Sequence, residues 1–304
     1  MDASARATDK AGHRPGKALG SAAGQRDASR QSEWAHFVAL PELGLQALHA
    51  HYVRHEYERH THDFFVIGVV DSGAPNFGLS NRRFTAPAGT AMIINPGEPH
   101  DGRASDGNGY TYSMVYVDDV AVRSLVEELQ DVSLSVEFEL PVVSDPEVVA
   151  GIFRLHRAVM QGRSRLDCEV ELLDALKPLV ARFSTSRSRD FKTEHRDARI
   201  SRVRDCILAN FAQSLSTTDL ALASGLGRAR LSDLFRAEYG LPPHSYLNAV
   251  RMSAAKEYLK KGIPPAEVAA AVGLSDQSHL IRRFKGSFGI TPNQFISGHH
   301  TNVR

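Results

Sequence analysis

The chain contains little of what would hold it together covalently or place it in a membrane. Among its 304 residues there are only two cysteines, Cys168 and Cys206, both in arginine-containing stretches with a helical pattern. Two such residues suggest neither a disulfide framework nor a zinc site. No apolar run approaches the roughly 18 residues of a membrane-spanning helix, so a membrane protein is not expected.

Large apolar residues are also nearly missing from residues 1–33, where Leu19 is an exception. A stretch rich in Ala, Arg, Ser and Gly cannot build a core, so we expect a disordered N-terminal tail over residues 1–33. It lacks the apolar segment of a secretory signal. Its Arg and Ser content would fit an organelle transit peptide, an alternative that its three aspartates disfavour.

The chain as a whole has almost no excess of charge, with 36 Lys and Arg against 35 Asp and Glu, a net of +1. The distribution is uneven, however. Residues 196–296 hold 14 basic against 8 acidic residues, whereas residues 1–195 hold 21 against 27. A basic C-terminal region is typical of nucleic-acid binding, although an excess of this size is weak evidence alone. The length predicts about two domains.

The chain does contain a short sequence unit that occurs twice. The segment FRAEYGLPPHSY at residues 235–246 returns as FKGSFGITPNQF at residues 284–295, with Phe, Gly and Pro at the same offsets. Both Tyr of the first copy become Phe in the second. A shorter match, at residues 220–226 and 268–274, precedes the copies. The same residues at the same spacing in both segments indicate two copies of one supersecondary unit.

Each unit is predicted to form a helix, a tight turn and a second helix. Ser216 begins a capping-box-like start in the first unit, and Gly225 supplies a turn position that tolerates positive φ. In the second unit Pro264 begins the short helix and Gly273 makes the turn. The second helix of each unit has one apolar and one polar face, as in helix-turn-helix motifs that read the major groove.

The polar faces supply the predicted DNA-binding residues. They are Arg228, Ala229, Ser232, Asp233 and Arg236 in the first unit, and Gln277, Ser278, His279, Arg282 and Lys285 in the second. Residues 245–261 between the units form one predicted helix of roughly 25 Å. This helix would hold the DNA-contacting helices of the two units about one DNA turn apart. The alternative is an ordinary helical bundle without a ligand, and doubled units with polar outward helices disfavour it.

The C-terminal region resembles the AraC/XylS-type transcription regulators over roughly residues 199–295. The resemblance is carried by EVAAAVGLSDQSHLIRRFK at residues 267–285 and by FGITP at residues 288–292. Arg251 and Ala255 in the connecting helix also match the family. One departure is Asp233, where the family commonly has Arg. An acidic residue there would repel phosphate and could accept a hydrogen bond from cytosine.

The region before it is predicted to be β-rich. Candidate strands cover residues 45–53, 64–70, 76–84, 90–94 and 110–117, separated by clusters of turn residues. Short strands with regular turns predict a small sandwich or barrel that holds one small ligand. The segments RHTHD at 59–63 and PGEPH at 96–100 resemble the two conserved strips of cupin barrels, and this resemblance matches the sensor domain common among AraC-type regulators.

Three histidines of these segments, His60, His62 and His100, are candidate ligands. Metal-binding cupins also use a Glu a few residues after the second His, but Val66 and Ile67 stand at the expected place. Three nitrogen ligands could still suffice for a metal, and the imidazoles could instead only bond strand-end backbone groups. The favoured interpretation is that they bind a polar effector, so neither a metal nor another cofactor is predicted.

The predicted effector site comprises His60, His62, His100, Tyr112 and Met114. The last three positions follow from resemblance to the sugar-responsive member of the family, whose pocket aromatics this chain does not reproduce. A sugar effector is therefore not assumed.

Residues 145–183 are predicted to form two helices, and the resemblance implies that this pair is the dimer contact. The second helix has an apolar stripe close to heptad spacing, with Leu166, Val170, Leu173, Leu176 and Val180. Packing against the barrel competes for the same residues. A polar, flexible linker is predicted over residues 184–195.

The prediction for the fold is α+β: a cupin-like β-barrel with a helical dimerisation segment at residues 34–183, and an all-α double helix-turn-helix domain at residues 196–304. The function predicted is a cytoplasmic, sequence-specific transcription regulator modulated by a small molecule, and not an enzyme. Its expected partners are double-stranded DNA, an unidentified effector, RNA polymerase and a second copy of the chain. The competing hypothesis is a cupin-type metalloenzyme with an accessory helical domain.

Overall fold

The computed structural model of this chain describes residues 32–80, 82–130, 135–187 and 197–300. The predicted disordered tail lies outside these residues except for its last two, and Glu33 belongs to the folded part. One Glu33 carboxylate oxygen accepts hydrogen bonds from the backbone N–H groups of Val53, Arg54 and His55 at 3.0, 2.6 and 2.6 Å. The folded region therefore begins slightly earlier than the sequence predicts.

The N-terminal half is built mainly from β-strands. The strands are β1 (Trp34–Leu40), β2 (Leu45–Tyr52), β3 (Tyr57–His60), β4 (Phe64–Gly73), β5 (Pro75–Leu79), β6 (Arg82–Thr85), β7 (Ala91–Ile94), β8 (His100–Ala104), β9 (Tyr110–Asp118), β10 (Ser135–Phe138), β11 (Val142–Val143) and β12 (Ser184–Arg187). A 3-10 turn, Pro41–Leu43, joins β1 to β2.

Helices make up the rest of the described chain. They are α1 (Asp119–Gln130), α2 (Pro146–Met160), α3 (Arg165–Phe183), α4 (Ala198–Asn210), α5 (Thr217–Ser224), α6 (Arg228–Tyr239), α7 (Pro243–Lys260), α8 (Pro265–Ala271), α9 (Gln277–Phe288) and α10 (Pro292–His300). Within the described ranges, none of these helices is both long enough and apolar enough to cross a membrane.

Two antiparallel sheets form the β region. One has six strands in the order β1-β2-β9-β4-β7-β11, and the other has four in the order β3-β8-β5-β6. No backbone ladder between the described strands joins the two sheets, so the cupin-like region is a pair of sheets and not a fully closed barrel. The predicted single strand over residues 76–84 is a hairpin, β5–β6, with Ser80 at a positive φ of 50°.

The six-stranded sheet has two different apolar faces, because successive side chains of a strand point to opposite sides. Phe65 and Ile67 pack with α2 and α3 in one core. Phe64 and Val66 face the other way and join a second core, together with residues of the four-stranded sheet. The helical pair α2–α3 thus covers one face of the sheet and leaves the other face for a cavity.

The predicted interdomain linker begins differently in the structure. Ser184–Arg187 form strand β12, which pairs with Ser135–Phe138 in a two-stranded ladder. A polar segment without apolar alternation gives no strand signal of its own, and its structure follows from the backbone partner that β10 provides. The remainder of the predicted linker lies outside the described residues.

The two helix-turn-helix units have the predicted local structure. Ser216 and Asp219 form a reciprocal capping box at the start of α5, and Gly225 ends this helix at φ 68°. Asp276 caps α9 by accepting from the backbone N–H of His279 at 2.7 Å. The connecting helix α7 spans 18 residues.

The cores of the two units differ in what they pack against. The first unit has a core of its own, in which Leu231 and Phe235 are fully buried. In the second unit Leu280, Phe284 and Phe295 belong to the same core as the inner face of the β region. The second unit is therefore joined to the β region by a continuous apolar core.

One contact across this junction can be tested with a pair of glycines. Gly289, after α9, has φ 75°, and an added Cβ would collide with the hydroxyl groups of Tyr52 and Tyr57. Gly225 has a similar φ of 68° but nothing within 4 Å of an added Cβ. We expect Gly225→Ala to lower the free energy of unfolding by about 1–2 kcal/mol through backbone strain alone.

Gly289→Ala should cost at least about 1 kcal/mol more, because the same strain is joined by overpacking. Urea unfolding of both variants gives the comparison. Equal losses in the two variants would show that the junction does not restrict Gly289.

Candidate functional site: a cavity next to the second reading helix

A cavity lies between the two sheets and the second helix-turn-helix unit. All five residues of the predicted effector site line it: His60, His62, His100, Tyr112 and Met114. The connecting helix α7 contributes Lys256 to the wall, and the second unit contributes Ser287, Phe288, Ile290 and Phe295. Most of the lining is aromatic or aliphatic, as is usual for small-molecule sites.

The three histidines meet at one end of this cavity. His60, the last residue of β3, pairs directly with His100, the first residue of β8, and their ring centroids are 4.2 Å apart. His62 follows β3, with its ring 4.7 Å from that of His100. Burial lowers the pKa of His60 to about 4 and those of His62 and His100 well below the usual range, so all three rings are neutral at pH 7.

Each of these rings is held by a backbone carbonyl. The Nδ1 atoms of His60, His62 and His100 bond the carbonyl oxygens of Glu58, Phe64 and Glu98 at 2.7, 2.8 and 2.9 Å. Bonding to strand-end backbone groups, one of the alternatives from the sequence, is therefore present. It uses only one nitrogen of each ring.

Tyrosine hydroxyls connect the cavity to the second helix-turn-helix unit. The hydroxyls of Tyr57 and Tyr112 share a hydrogen bond of 2.5 Å. The hydroxyl of Tyr52 donates to the carbonyl of Gly289 at 2.7 Å, directly after α9. Burial raises the pKa of Tyr112 well above its ordinary value, so its hydroxyl keeps its proton.

Lys256 also lines the cavity, although sequence reasoning did not include it in the predicted site. Its ammonium is buried against the Phe64 and Phe288 rings at 4.4 and 5.0 Å and makes one long hydrogen bond, 3.4 Å, to the Gln46 side chain. Burial, and then the nearby charge of Lys260, lower its pKa to about 8. A signal was present in the sequence, because Lys256 lies four residues after Met252, at helical spacing on the buried face of α7.

The predicted DNA-binding residues lie mostly on exposed helix faces. Exposed are Arg228, Ala229, Asp233 and Arg236 of α6 and Gln277, Ser278 and Arg282 of α9, while Ser232, His279 and Lys285 are half-buried. The opposite faces are anchored by Leu231 and Phe235, and by Leu280 and Phe284. Both second helices can therefore present a polar surface while remaining fixed to a core.

The inner side of α9 contacts the β region through charges. Arg283 forms an ion pair with Glu58 of β3 at 2.8 Å. The positive charge of Lys285 is one of the influences that lower the pKa of the Glu33 carboxyl, although hydrogen bonds from backbone N–H groups act more strongly. Lys285, predicted as a DNA contact, thus also lies near the acidic edge of the β region.

Comparisons with known proteins agree with this architecture. A model of the AraC-like ligand binding domain matches residues 42–176, and a helix-turn-helix domain model matches residues 220–297. The chain belongs to the AraC-type transcription regulators. As in that family, a ligand-binding domain precedes a helix-turn-helix domain that binds DNA.

Two full-length relatives of this regulator illustrate the similarity. The HTH-type transcriptional regulator YbfI of Bacillus subtilis is 25% identical over 240 residues, covering 79% of this chain and 87% of the relative. The transcriptional activator RhaS of Klebsiella pneumoniae is 21% identical over 257 residues, covering 80% and 88%.

Among solved structures, wild-type ToxT of Vibrio cholerae with bound unsaturated fatty acid matches with a TM-score of 0.50 and 10% identity. The match covers 88% of this chain and 95% of ToxT. At this identity the similarity shows the fold alone.

The placement of Arg282 generates a DNA-binding prediction. Arg282 is exposed on α9 one turn after Ser278, so Arg282→Ala should cost about 1–3 kcal/mol of specific binding. Gel-shift titrations with a duplex selected by the wild-type protein from a random library measure the effect. Arg82→Ala removes an exposed arginine from the β region and serves as the control for net charge. Unchanged affinity of the Arg282 variant would refute the assignment.

Proposed function

We propose that this regulator responds to a small molecule with an apolar body and an anionic group, bound in the cavity beside α9. The observation that carries the proposal is Lys256, a buried ammonium with one long hydrogen bond on the wall of a mostly apolar cavity. Burying a charge without a strong partner is costly. A carboxylate of the effector would supply a charge-assisted hydrogen bond and offset that cost.

The polar groups of the predicted site would orient such a molecule. His62 and His100 lie at one end of the cavity, and Tyr112 lies on the six-stranded sheet. Their neutral imidazoles and its hydroxyl can bond a second polar group of the effector without the cost of burying more charge. Met114 and the aromatic residues would pack against its apolar body.

Binding would act on DNA recognition because the cavity wall comes from both regions. An effector shifts an equilibrium only if it binds two arrangements with different affinity. An arrangement that moves the second unit would remove Phe288 and Phe295 from the wall and weaken binding. We infer a coupling on the order of 1–3 kcal/mol between effector and DNA. No chemical change of the effector is required.

The fatty acid bound to ToxT makes unsaturated fatty acids reasonable first probes. ToxT shares the fold, and the cavity described above combines an apolar interior with one ammonium, which suits a long-chain carboxylate. We therefore take oleate as the probe and do not assume that it is the physiological effector.

We further propose that the regulator acts as a homodimer through the first half of α3. Leu166, Val170 and Leu173 expose 68%, 48% and 41% of their surface, which is unusual for large apolar side chains at helical spacing. The rest of the predicted stripe, Leu176 and Val180, is buried in the core below the sheet and is unavailable to a partner. We also propose that the DNA-bound dimer contacts RNA polymerase, because the relative RhaS is a transcriptional activator.

Lys256→Met tests the effector site. It keeps an unbranched apolar chain and removes the ammonium, so it should weaken oleate binding by about 1.5–3 kcal/mol, the contribution of a hydrogen bond to a charged group. Isothermal titration calorimetry measures the affinity. The control is Lys260→Met on the same helix, since the Lys260 ammonium lies near the surface and pairs with Glu257 at 2.7 Å.

The pH dependence separates the charge of Lys256 from its shape. With a pKa of about 8, Lys256 is protonated at pH 7 and loses its proton as the pH rises to 9. The affinity of the wild type for oleate should fall about tenfold over this range, while that of Lys256→Met should stay constant. Equal affinity of wild type and variant at pH 7 would place the site elsewhere, and turnover of oleate would favour the enzyme hypothesis.

Leu173→Glu tests the dimer. A carboxylate in the exposed apolar patch of α3 should give monomers that bind one half-site and lose cooperative binding to two. Sedimentation and gel-shift titrations report both changes. Val120→Glu, which alters an even more exposed apolar residue of α1, is the control. A wild type that is monomeric with and without DNA at micromolar concentration would contradict the proposal.

A further inference from the structure

The three cavity histidines form an arrangement that exceeds what an effector contact requires. Among the described residues, His60, His62 and His100 make up the group in which one ring nitrogen of each residue lies within 4.8 Å of the others. All three are buried. Two of them face each other across the β3–β8 ladder, so the backbone pairing fixes their separation.

The second nitrogen of each ring has a defined chemical state. Because a carbonyl oxygen only accepts, each Nδ1 must donate to it, and a neutral imidazole then carries a lone pair on Nε2. A backbone carbonyl bonded to the far nitrogen is also the usual way in which metal-ligating histidines are oriented. Each lone pair is on Nε2, the ring nitrogen that forms no hydrogen bond with the backbone carbonyl.

One of these acceptors is shown to lack a donor. The Nε2 atom of His62 is buried and has no hydrogen-bond partner within the described part of the chain. An unsatisfied buried acceptor costs about 1–3 kcal/mol, and neighbouring lone pairs cannot bond one another. A Lewis acid between the rings would satisfy all three at once.

The geometry is close to what one such ion needs. Zn–N bonds of about 2.1 Å in a tetrahedral site separate the ligating nitrogens by about 3.4 Å. The nitrogens of this cluster lie within 4.8 Å of one another. Small rotations of the side chains would bring them to the spacing that the ion needs. Three imidazoles without a carboxylate suit Zn²⁺ better than Mg²⁺ or Ca²⁺, which prefer oxygen ligands.

We propose that His60, His62 and His100 bind one Zn²⁺-type divalent ion through their Nε2 atoms, with a fourth coordination position open to the cavity. The absence of a carboxylate at Val66 and Ile67 leaves three protein ligands, the number that keeps a position open. The Lys256 ammonium lines the same cavity, and an anionic fourth ligand, hydroxide or a carboxylate, would offset the accumulated positive charge. A bound ion would occupy the Nε2 atoms of His62 and His100, so a polar group of the effector would meet these residues through the fourth coordination position of the ion.

Metal content is the direct test. Protein freed of any histidine tag and purified without chelators should contain about one zinc ion per chain by mass spectrometry of the metals. Removal of the metal and titration with Co²⁺ should give the visible absorption of a tetrahedral site. His62→Gln should weaken Co²⁺ binding more than tenfold.

The control is His156→Gln. His156 is also buried, with an Nε2 atom that lacks a hydrogen-bond partner, but it belongs to no group of three ligands among the described residues. This variant should bind Co²⁺ like the wild type. Substoichiometric zinc together with no Co²⁺ absorption in the wild type would overturn the proposal, and it remains testable even if His62→Gln fails to fold.

Full metal binding by a folded His62→Gln variant would show that the ion sits elsewhere, and this too would overturn the assignment. Neither result depends on oleate or DNA. A failure of the metal site therefore leaves the effector experiments with Lys256 untouched, and a failure of those experiments leaves the metal measurement valid.

Discussion

The structure depends on one apolar core that two functionally different regions share. Leu280, Phe284 and Phe295 of the second helix-turn-helix unit are buried together with residues of the inner sheet faces. The differences between the two repeats follow from this. Tyr246 of the first unit is half-buried, whereas its counterpart Phe295 is fully buried and stacks on Phe37 of β1 with ring centroids 5.5 Å apart. A hydroxyl there would need a buried partner, so Phe replaces Tyr.

This shared core gives a physical route from ligand to DNA. The wall of the cavity, the Tyr52–Gly289 hydrogen bond and the Glu58–Arg283 ion pair all join the β region to α9 or its C-terminal end. The first unit has a separate core and no comparable share in the cavity wall. A ligand would thus act mainly on the second unit, whose exposed face carries Arg282.

Sequence reasoning succeeded where a local pattern determines the structure. The repeated unit predicted two helix-turn-helix motifs, and continuous apolar runs predicted β2, β4, β7 and β9. It missed β12 and most of the short strands, because polar segments become strands only through a partner. The five residues predicted for the effector site line one cavity, but Lys256 was missed, because its burial depends on which region covers α7. The dimer contact stays a prediction, and the packing assigns two residues of its stripe, Leu176 and Val180, to the core of the chain.

The central claim is that the cavity and the second reading helix are energetically coupled. Thermodynamic linkage makes this measurable from one side: DNA must change the affinity for oleate by the same factor by which oleate changes the affinity for DNA. Titrating oleate into the protein alone and into its complex with a selected duplex gives that factor. The shared core predicts a change of about five- to 150-fold. Identical oleate affinities, free and DNA-bound, would contradict the account.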